Sequence, residues 1–410
     1  MNILWLSHLV PYPPKGGVLQ RSYYLLRELS HYHRIDLLAF NQKALMTQFF
    51  SSLEEGFQQS RKALDTICGR VAFFDIASDR HSLGVYTLAL RSLFHEPYNI
   101  NWLKSKEFRS TFTSWLQQTN YDLVHFDTIS LIPFFDVLPS NFPSSLDHHN
   151  IESHMLFRRV KREKNVFKKI YYWQEGVRLQ KYERRYCPEF SINITCSDID
   201  TERLQALVPE ARVQTIPNGV DVGYFKSEGT AQDARSLIFV GSMGWYPNVE
   251  AVLYIAEQLW PQLKEMHHDL AVHIVGSNPP DEIRKLGKNL TDFHVHGFVD
   301  DVRPYLDAAT VYVCPIMDGG GTKLKILDAM AMAKAIVAHP IACEGINVKH
   351  GANILLAESP HSFIEQIDDL LRNPERRKNI GKAARELMER EYDYQFIGKK
   401  LSNAFQGCLS

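Results

Sequence analysis

The sequence predicts an α/β protein with two Rossmann-like, doubly wound domains. Short apolar runs alternate with longer segments of helical character, which is the pattern of parallel strands joined by crossover helices. The segment Ile216–Asp221, with a Pro-Asn-Gly turn at its centre, separates two such series. Most of the later apolar runs end in Gly, Pro or Ser, at the strand ends where doubly wound sheets bind ligands. We therefore expect two domains that face a central cleft.

The N-terminal domain is predicted over residues 1–215. Its first strand, Ile3–Ser7, leads through a Pro-Gly-rich turn into a helix from about Val18 to His31. Five more strands are predicted in this half, at Ile35–Phe40, Val71–Asp75, Asp122–Phe126, Pro143–His148 and Ser191–Cys196.

The C-terminal domain is predicted over residues 216–392. An amphipathic helix from about Asp393 to Gln406 follows it, so residues 393–410 are expected to pack back on the first domain. Five strands are predicted in this half, at Ser236–Val240, Ala271–Val275, Phe293–His296, Val311–Pro315 and Ala335–Ala338.

Composition excludes several classes of protein. The 410 residues are 45% hydrophobic and carry a net charge of −1, whereas a general nucleic-acid binder is usually basic. The six cysteines are scattered without a CxxC pair, which is typical of reduced thiols in a protein core. The N-terminus lacks the features of a signal peptide, and no apolar run approaches 18 residues. We expect a cytoplasmic protein, with peripheral contact at the inner face of a membrane left open.

The most informative segment follows the strand Val311–Pro315. Three consecutive glycines, Gly319–Gly321, lead into a helix rich in Ala, Leu and Met, so backbone N–H groups and the positive end of a helix dipole are open to an anion. Glycine permits close approach of a ligand, and Lys323 and Lys325 add positive charge. Asp328, further along the helix, could accept hydrogen bonds from ribose hydroxyls. Together they indicate an enzyme that uses a nucleotide sugar.

Seven motifs in order along the chain resemble those of the GT-B glycosyltransferases of the retaining family 4. Each motif is weak alone, but their order and spacing together are specific, and the resemblance covers nearly the whole chain. The motifs are Pro13–Gly17, His149-Asn150, Ile216–Asp221, Val240–Ser242, Val275-Gly276, His296–Asp301 and Gly321–Ala331.

The resemblance implies that the C-terminal domain holds the nucleotide sugar. Phe298 and Val299 would lie near the base, and Asp328 would take the ribose hydroxyls. The remaining donor-binding residues implied by the resemblance are Gly241, Ser242, Gly276, Gly320, Gly321, Thr322 and Lys323, with Lys325 at the diphosphate.

The resemblance also implies a role for the N-terminal domain. Gly16 and Gly17 would approach the diphosphate from that side, and His149 would sit over the transferred sugar. His149, Gly17 and Lys325 are thus the expected catalytic positions. In this family the leaving diphosphate helps to deprotonate the acceptor, with retention at the anomeric carbon. No side-chain nucleophile, cofactor or metal is expected.

The chain departs from the family pattern at the donor site. Family members usually carry two glutamates eight positions apart, where this chain has Gly320 and Asp328. They also often have an Arg and a Lys after the first strand of the donor domain, but the segment Gly241–Asn248 has no basic residue. Lys323 and Lys325 are the expected replacements, since a compact ammonium neutralises phosphate without bidentate geometry.

Simpler interpretations exist for several candidates. Lys325 and Asp328, three positions apart on a helix, could form a surface ion pair. His148 and His149 are adjacent on a strand and point to opposite faces, so they cannot easily share a metal. Asp147 and Glu152 are further candidates beside them, although a helix cap would explain either. His294 and His296 are expected to be structural.

The stretch Met155–Tyr186 is strongly basic. It contains eleven Lys and Arg residues against three Glu, together with Tyr171, Tyr172 and Trp173. It could be a solvated helical face. It could equally be a surface for anionic lipids, where each basic residue contributes on the order of 1 kcal/mol.

The sequence therefore favours transfer of a hexose-type sugar from a nucleoside diphosphate, with UDP favoured, to a glycan or lipid-linked acceptor. Assembly of an exopolysaccharide or cell-envelope polysaccharide is the expected setting, by analogy with the family. A nucleotide-sugar epimerase of the same architecture and a non-catalytic nucleotide-sugar-binding subunit are the alternatives. No nucleic-acid partner is expected.

Overall fold

The computed structural model describes residues 1–80, 84–92, 96–229, 235–319 and 321–409. The chain divides into two compact units, Met1–Pro217 with Ile397–Ser410, and Asn218–Phe396. The sequence placed these boundaries at residues 215/216 and 392/393. Among the described residues, no helix combines the length and the apolar composition needed to cross a bilayer.

The first unit contains a seven-stranded parallel sheet with the strand order β3-β2-β1-β4-β5-β6-β7. Its strands are β1 Asn2–Ser7, β2 Arg34–Asn41, β3 Arg70–Asp75, β4 Leu123–Phe126, β5 Ser144–His148, β6 Ile192–Thr195 and β7 Val213–Thr215. Its helices are α1 Gly17–Ser30, α2 Lys43–Phe49, α3 Leu53–Leu64, α4 Gly84–Ser92, α5 Tyr98–Asn101, α6 Lys106–Gln118, α7 Glu152–Arg162, α8 Val166–Tyr186 and α9 Asp198–Leu207. Short 3₁₀ segments lie at Ala77–Arg80, Ile129–Val137 and Cys187–Glu189.

The second unit contains a six-stranded parallel sheet with the order β10-β9-β8-β11-β12-β13. Its strands are β8 Ser236–Val240, β9 Ala271–Val275, β10 Phe293–Gly297, β11 Val311–Cys314, β12 Ile336–Ala338 and β13 Leu355–Leu356. Its helices are α10 Tyr246–Tyr254, α11 Trp260–Met266, α12 Asp281–Asn289, α13 Arg303–Ala308, α14 Leu324–Ala331, α15 Pro360–Arg372 and α16 Pro374–Leu387, and the final helix is α17 Tyr394–Gln406. A 3₁₀ segment lies at Pro340–Cys343, and π-helical turns lie at Ile255–Leu259 and Met388–Tyr392.

The predicted fold class is confirmed, because both sheets are parallel and their strands alternate with helices. Central strands of such sheets are covered on both faces and therefore read as continuous apolar runs. In β1, the four residues from Ile3 to Leu6 are fully buried, and in β11 the whole strand is. Two short strands, β7 and β13, were not predicted.

Aromatic packing closes one side of the first sheet. The rings of Phe40 and Phe108 stack with centroids 4.6 Å apart, and Phe134 lies 4.5 Å from Phe108. Phe74 meets Phe108 edge-on at 5.0 Å. Such pairs add to the free energy gained from burying their area.

The end of the chain belongs to the first unit. Ser402 on α17 lies 2.7 Å from the His33 ring nitrogen, and the Phe405 ring lies 5.6 Å from His125. Arg212 donates to the carbonyl of Gly407 at 3.0 Å. The last helix therefore packs on the N-terminal sheet, as its amphipathic pattern indicated.

A buried ion pair fastens α1 to the sheet of the first unit. The Arg21 guanidinium contacts both carboxylate oxygens of Asp147, at 2.9 and 3.2 Å, and both side chains are about 1% exposed. Arg21 also donates to the carbonyls of Ile216 and Pro217, at 3.0 and 3.2 Å. One side chain thus holds together α1, the end of β5 and the end of the segment Met1–Pro217.

Substituting Arg21 should destabilise the first unit strongly. Arg21→Met leaves the Asp147 carboxylate buried without its partner, and removing one member of a buried pair costs about 3–5 kcal/mol. We expect a clearly lower urea midpoint, measured by circular dichroism. The control, Arg61→Met, breaks an ion pair whose members are 50% and 52% exposed, and should change stability by less than about 1 kcal/mol. Equal midpoints for the two variants would contradict this account.

Candidate functional site

Three predicted donor-binding segments meet at the carboxyl edge of the second sheet. Gly241 follows β8, Gly276 follows β9, and Gly297 ends β10. The Gly241 N–H donates to the Val275 carbonyl at 2.9 Å, and the Gly276 N–H donates to the Gly297 carbonyl at 2.8 Å. A Cβ at Gly276 would overlap the Gly241 carbonyl oxygen, so the two backbones touch. Only glycine allows this approach.

Lys325 occupies the space beside Gly241. A Cβ at Gly241 would lie 2.5 Å from the Lys325 Nζ and 2.8 Å from the Asn248 side chain. The Lys325 ammonium donates to Asn248 Oδ1, while Asn248 Nδ2 donates to the Ser242 carbonyl at 2.6 Å. Asn248, three residues after Trp245, thus links the ammonium to the loop after β8.

Burial lowers the pKa of the Lys325 ammonium to about 8, and the nearby charge of Lys323 acts in the same direction. The Nζ lies 4.8 Å from the Phe239 ring centroid and 5.7 Å from the Trp245 ring centroid. The ring faces stabilise the ammonium only in part. A ligand with negative charge would stabilise the protonated form further.

The glycine turn before α14 has a conformation that depends on glycine. Gly319 has φ +100°, and a Cβ there would overlap the Trp245 ring; Gly321 has φ +69°. Lys323 is only 5% exposed, and its Nζ donates to the carbonyls of Gly319 and Gly321, both at 2.8 Å. Lys323 therefore fastens the turn internally. The predicted donor residue Gly320 lies outside the described residues.

Other predicted donor residues lie around this turn. Thr322 has a buried Oγ1 without a hydrogen-bond partner among the described residues. Asp328 is half-buried in the middle of α14, and Ser242 Oγ accepts from Ser277 Oγ at 2.9 Å. Asp318, directly before Gly319, is 5% exposed and accepts from the Tyr246 hydroxyl.

The segment expected to hold the base is accessible. Phe298 is 51% exposed directly after Gly297, and Val299 is half-buried against the core of the second unit. Next to them, the rings of His294 and His296 stack with that of His273 at 5.2 and 5.3 Å. The two histidines expected to be structural thus form a ring stack on the sheet.

In the first unit, the predicted phosphate turn comes directly before α1. Gly16 is the N-cap of α1 with φ +95°, and Gly17 is the first helical residue; both are exposed. The turn follows the carboxyl end of β1. The same edge of the sheet carries the ends of β4 and β5, so their side chains lie close together.

His149 forms a network with Asp127 at this edge. Its Nε2 lies 3.2 Å from Asp127 Oδ1, and His8 Nδ1 lies 2.9 Å from Asp127 Oδ2. Ser7 and Ser22 donate to the same carboxylate at 3.0 and 3.1 Å. Asp127 is 1% exposed, whereas His149 is 10% and His8 11% exposed, so the carboxylate is buried beneath two slightly exposed imidazoles.

The contacts of this network shift the pKa values of Asp127 and His149. Burial opposes ionisation of Asp127, but the charge and hydrogen bond of His149, with a further contribution from His8, hold its pKa well below the usual range. Burial alone would lower the pKa of His149, but the Asp127 carboxylate raises it above the ordinary value. The arrangement therefore favours a protonated, hydrogen-bond-donating His149.

His8, Asp127 and His149 also place three potential metal-ligand atoms within 4.8 Å of one another. Four polar side chains already lie within hydrogen-bond distance of the Asp127 oxygens, so the hydrogen-bond network accounts for the cluster without an ion. The expectation of no metal stays a prediction.

The neighbouring candidates have other contacts. His148 is 3% exposed and bonds Asn193 Oδ1 at 3.1 Å. Asp147 pairs with Arg21, and Asn99 donates to Glu152 at 3.2 Å. Burial raises the pKa of Glu152.

Sequence reasoning missed His8, Asp127, Trp245 and Asn248. His8 and Asp127 each come directly after a predicted strand, and parallel strands place such positions at one edge. That rule was available and would have found them. Trp245 is the N-cap of α10 and Asn248 lies in its first turn; no motif of this kind marks them, and only the packing identifies them.

Comparisons with known proteins agree with this architecture. The model described as "Glycosyltransferase Family 4" matches residues 72–224, and the model described as "Glycosyl transferases group 1" matches residues 234–373. The chain is similar throughout to HepE of Anabaena, solved with UDP, with a TM-score of 0.65, 15% identity and coverage of 99% of this chain and 100% of that one. HepE has also been solved with UDP-glucose.

Two curated relatives match in part. An uncharacterized 44.6 kDa protein from the cps region of Klebsiella pneumoniae is 23% identical over 239 residues, which are 56% of this chain and 60% of that protein. A phosphatidyl-myo-inositol mannosyltransferase of Mycolicibacterium smegmatis is 32% identical over 131 residues, which are 30% of this chain and 33% of that protein. The chain thus spans less than two thirds of the length of either relative.

Two parallel doubly wound units, each with its candidate residues at the carboxyl ends of the strands, define the GT-B class. With both family models matched in order along the chain, the assignment can be made at the level of the family. The protein belongs to the GT-B glycosyltransferases of the group 1, family 4 type.

Removing the carboxylate at Asp127 should lower the pKa of His149. In Asp127→Asn the imidazole stays buried but loses the neighbouring charge that favours its protonated form. The histidine resonances, followed by NMR against pH and assigned with His149→Gln, should show this downward shift.

The Asp127–His149 pair should also make the free energy of unfolding depend on pH. Because the folded pKa of His149 is raised, its stabilisation is present in full below the unfolded pKa and is lost as the pH rises through the folded value. Asp127→Asn should flatten this dependence. The control Asp136→Asn changes a carboxylate that is 70% exposed and should have no effect. An unchanged His149 titration in Asp127→Asn would show that the network does not set its charge.

Proposed function

We propose that the protein transfers a hexose-type sugar from a nucleoside-diphosphate sugar, UDP being favoured, to a glycan or lipid-linked acceptor. The observation that carries this proposal is the position of the Lys325 ammonium. It lies beside the touching backbones of Gly241 and Gly276, next to a glycine turn that leads into a helix N-terminus. Bare backbone, a helix dipole and a half-buried cation together suit a diphosphate.

The comparisons support the choice of donor and setting. HepE, which shares the fold over the whole chain, binds UDP and UDP-glucose. One relative comes from a cps region, and another is named for mannosyl transfer to phosphatidyl-myo-inositol. They favour a UDP-sugar donor, a glycan or lipid-linked acceptor and a role in cell-envelope polysaccharide assembly. The proposed location is the cytoplasm, at the inner face of the membrane.

The proposed chemistry breaks the bond between the anomeric carbon and the β-phosphate oxygen. The bonding electrons leave with the diphosphate, where Lys325 and the N–H groups before α14 stabilise the added charge. The acceptor oxygen bonds to the anomeric carbon on the same face, which gives retention, and its proton passes to a phosphate oxygen. This route needs neither a metal nor a covalent enzyme intermediate.

We assign His149 and Asp328 to polar contacts with the nucleotide sugar. The protonated His149, held by Asp127, would donate to a hydroxyl of the transferred sugar. The Asp328 carboxylate would accept from the ribose hydroxyls. Because one of the two family glutamates is replaced by Gly320, the sugar is expected to have fewer charged contacts than in typical members.

Two other functions remain as alternatives. An epimerase would consume the nucleotide sugar without any acceptor, and a non-catalytic subunit would bind it without turnover. Product analysis separates the three, because only a transferase makes turnover depend on the acceptor.

Replacing Lys325 should weaken UDP binding without unfolding the protein. A hydrogen bond to a charged group contributes about 1.5–3 kcal/mol, so Lys325→Met should raise the Kd for UDP by roughly 10- to 100-fold. Calorimetric titration with UDP, GDP and ADP, then with UDP-glucose, gives the donor class. Asp328→Ala should weaken UDP binding as well. The control Lys285→Met removes an exposed lysine of α12 and should leave the Kd unchanged. Unaltered UDP affinity in Lys325→Met and Asp328→Ala would remove the basis of the site assignment.

UDP binding should weaken at alkaline pH. Lys325 loses its proton near pH 8 in the free protein, and a bound diphosphate would raise that pKa. The Kd should therefore increase by up to about tenfold per pH unit above pH 8, where the charge of the phosphate no longer changes. Titrations at pH 7, 8 and 9 measure this slope. A flat profile would mean that Lys325 does not contact the diphosphate.

A further inference from the structure

The first two turns of α8 (Val166–Tyr186) carry an exposed apolar face. Phe167 is 84% exposed, Val166 65%, Ile170 56% and Trp173 55%. Large apolar side chains are found singly on most protein surfaces, but four within eight residues of one helix form a patch.

The geometry of α8 shows that this face points away from the body of the unit. The buried residues of the helix are Glu175, Gly176, Leu179 and Glu183. At 100° per residue, the centre of that buried group lies roughly 150° from the centre of the apolar group. In the first two turns of α8, the side away from the buried residues, where polar residues are normally found, therefore carries large apolar side chains.

The acidic residues of α8 show the reverse arrangement. Glu175 accepts from the Tyr98 N–H at 2.6 Å, and Glu183 accepts from the N–H and the hydroxyl of Ser153. Both carboxylates are thus satisfied inside the unit. The outer surface of the helix is left without their negative charge.

Positive charge surrounds the apolar face. The segment Arg158–Gln174 holds seven Lys or Arg residues and a single Glu. That residue, Glu163, accepts from the Asn165 N–H at 2.9 Å. The exposed lysines of the segment are Lys161, Lys164, Lys168 and Lys169. Apolar side chains ringed by lysines complement a surface that is anionic outside and apolar beneath.

We propose that the first two turns of α8 dock onto an anionic phospholipid bilayer. Phe167 and Ile170 enter the boundary between headgroups and acyl chains, Trp173 lies at the interface, and the lysines contact lipid phosphates. Lipid binding is independent of catalysis. Its benefit, bringing the protein to a lipid-linked acceptor, rests on the proposed function.

Vesicle co-sedimentation tests the docking directly. The full chain should bind vesicles of 70% phosphatidylcholine and 30% phosphatidylglycerol, and should bind pure phosphatidylcholine at least about tenfold more weakly. Phe167→Gln/Ile170→Gln keeps helix-forming residues and should lower binding to the anionic vesicles by at least about tenfold. Lys168→Gln/Lys169→Gln should reduce the preference for anionic lipid and its sensitivity to salt.

Controls separate docking from folding and from donor chemistry. Tyr32→Gln removes an aromatic ring that is 54% exposed on another part of the unit, and should bind vesicles like the wild type. All variants should keep the wild-type Kd for UDP. If the wild type does not bind UDP, the proposed function is overturned but the docking proposal is not.

Two results would overturn the docking proposal. One is equal vesicle binding by the wild type and Phe167→Gln/Ile170→Gln. The other is no vesicle binding, combined with a wild-type dimer in light scattering that the same double variant converts to a monomer. The latter would assign the apolar face of α8 to a second copy of the chain.

Discussion

The close contact between the backbones at Gly241 and Gly276 determines the arrangement of the candidate diphosphate site. Because neither residue has a Cβ, the ends of β8 and β9 can touch, and space remains beside Gly241 for the Lys325 ammonium. Asn248 then links that ammonium to the Ser242 carbonyl. Any larger residue at Gly241 would displace the lysine. The position of the Lys325 ammonium therefore depends on the lack of a side chain at Gly241.

The two units stabilise a buried positive charge in different ways. In the second unit, burial makes the Lys325 ammonium easy to deprotonate, so an anionic ligand would stabilise it. In the first unit, four polar side chains already contact the Asp127 carboxylate, which raises the pKa of His149 and so favours its charged form. A ligand phosphate is expected to supply a negatively charged partner for Lys325. His149 already has such a partner, the Asp127 carboxylate, before any ligand binds.

Strands of ordinary length could be predicted from the sequence, whereas the contacts within the candidate diphosphate site could not. The strands β8 and β9 have the bounds that their apolar runs predicted, because strands in the middle of a parallel sheet are buried on both faces. The strands β7 and β13 have three and two residues, too few to give a pattern. The glycine turn and its lysines were visible in the sequence. That Lys323 fastens the turn through two carbonyls, while Lys325 reaches a residue 77 positions away, depends on tertiary packing.

The most direct test of the central claim is a crystal structure of the protein with UDP. The account predicts the diphosphate against the backbone of Gly321 and Thr322, with a phosphate oxygen within hydrogen-bond distance of Lys325 Nζ, and the ribose hydroxyls at Asp328. UDP bound elsewhere in the second unit, with Lys325 still donating to Asn248 alone, would contradict it.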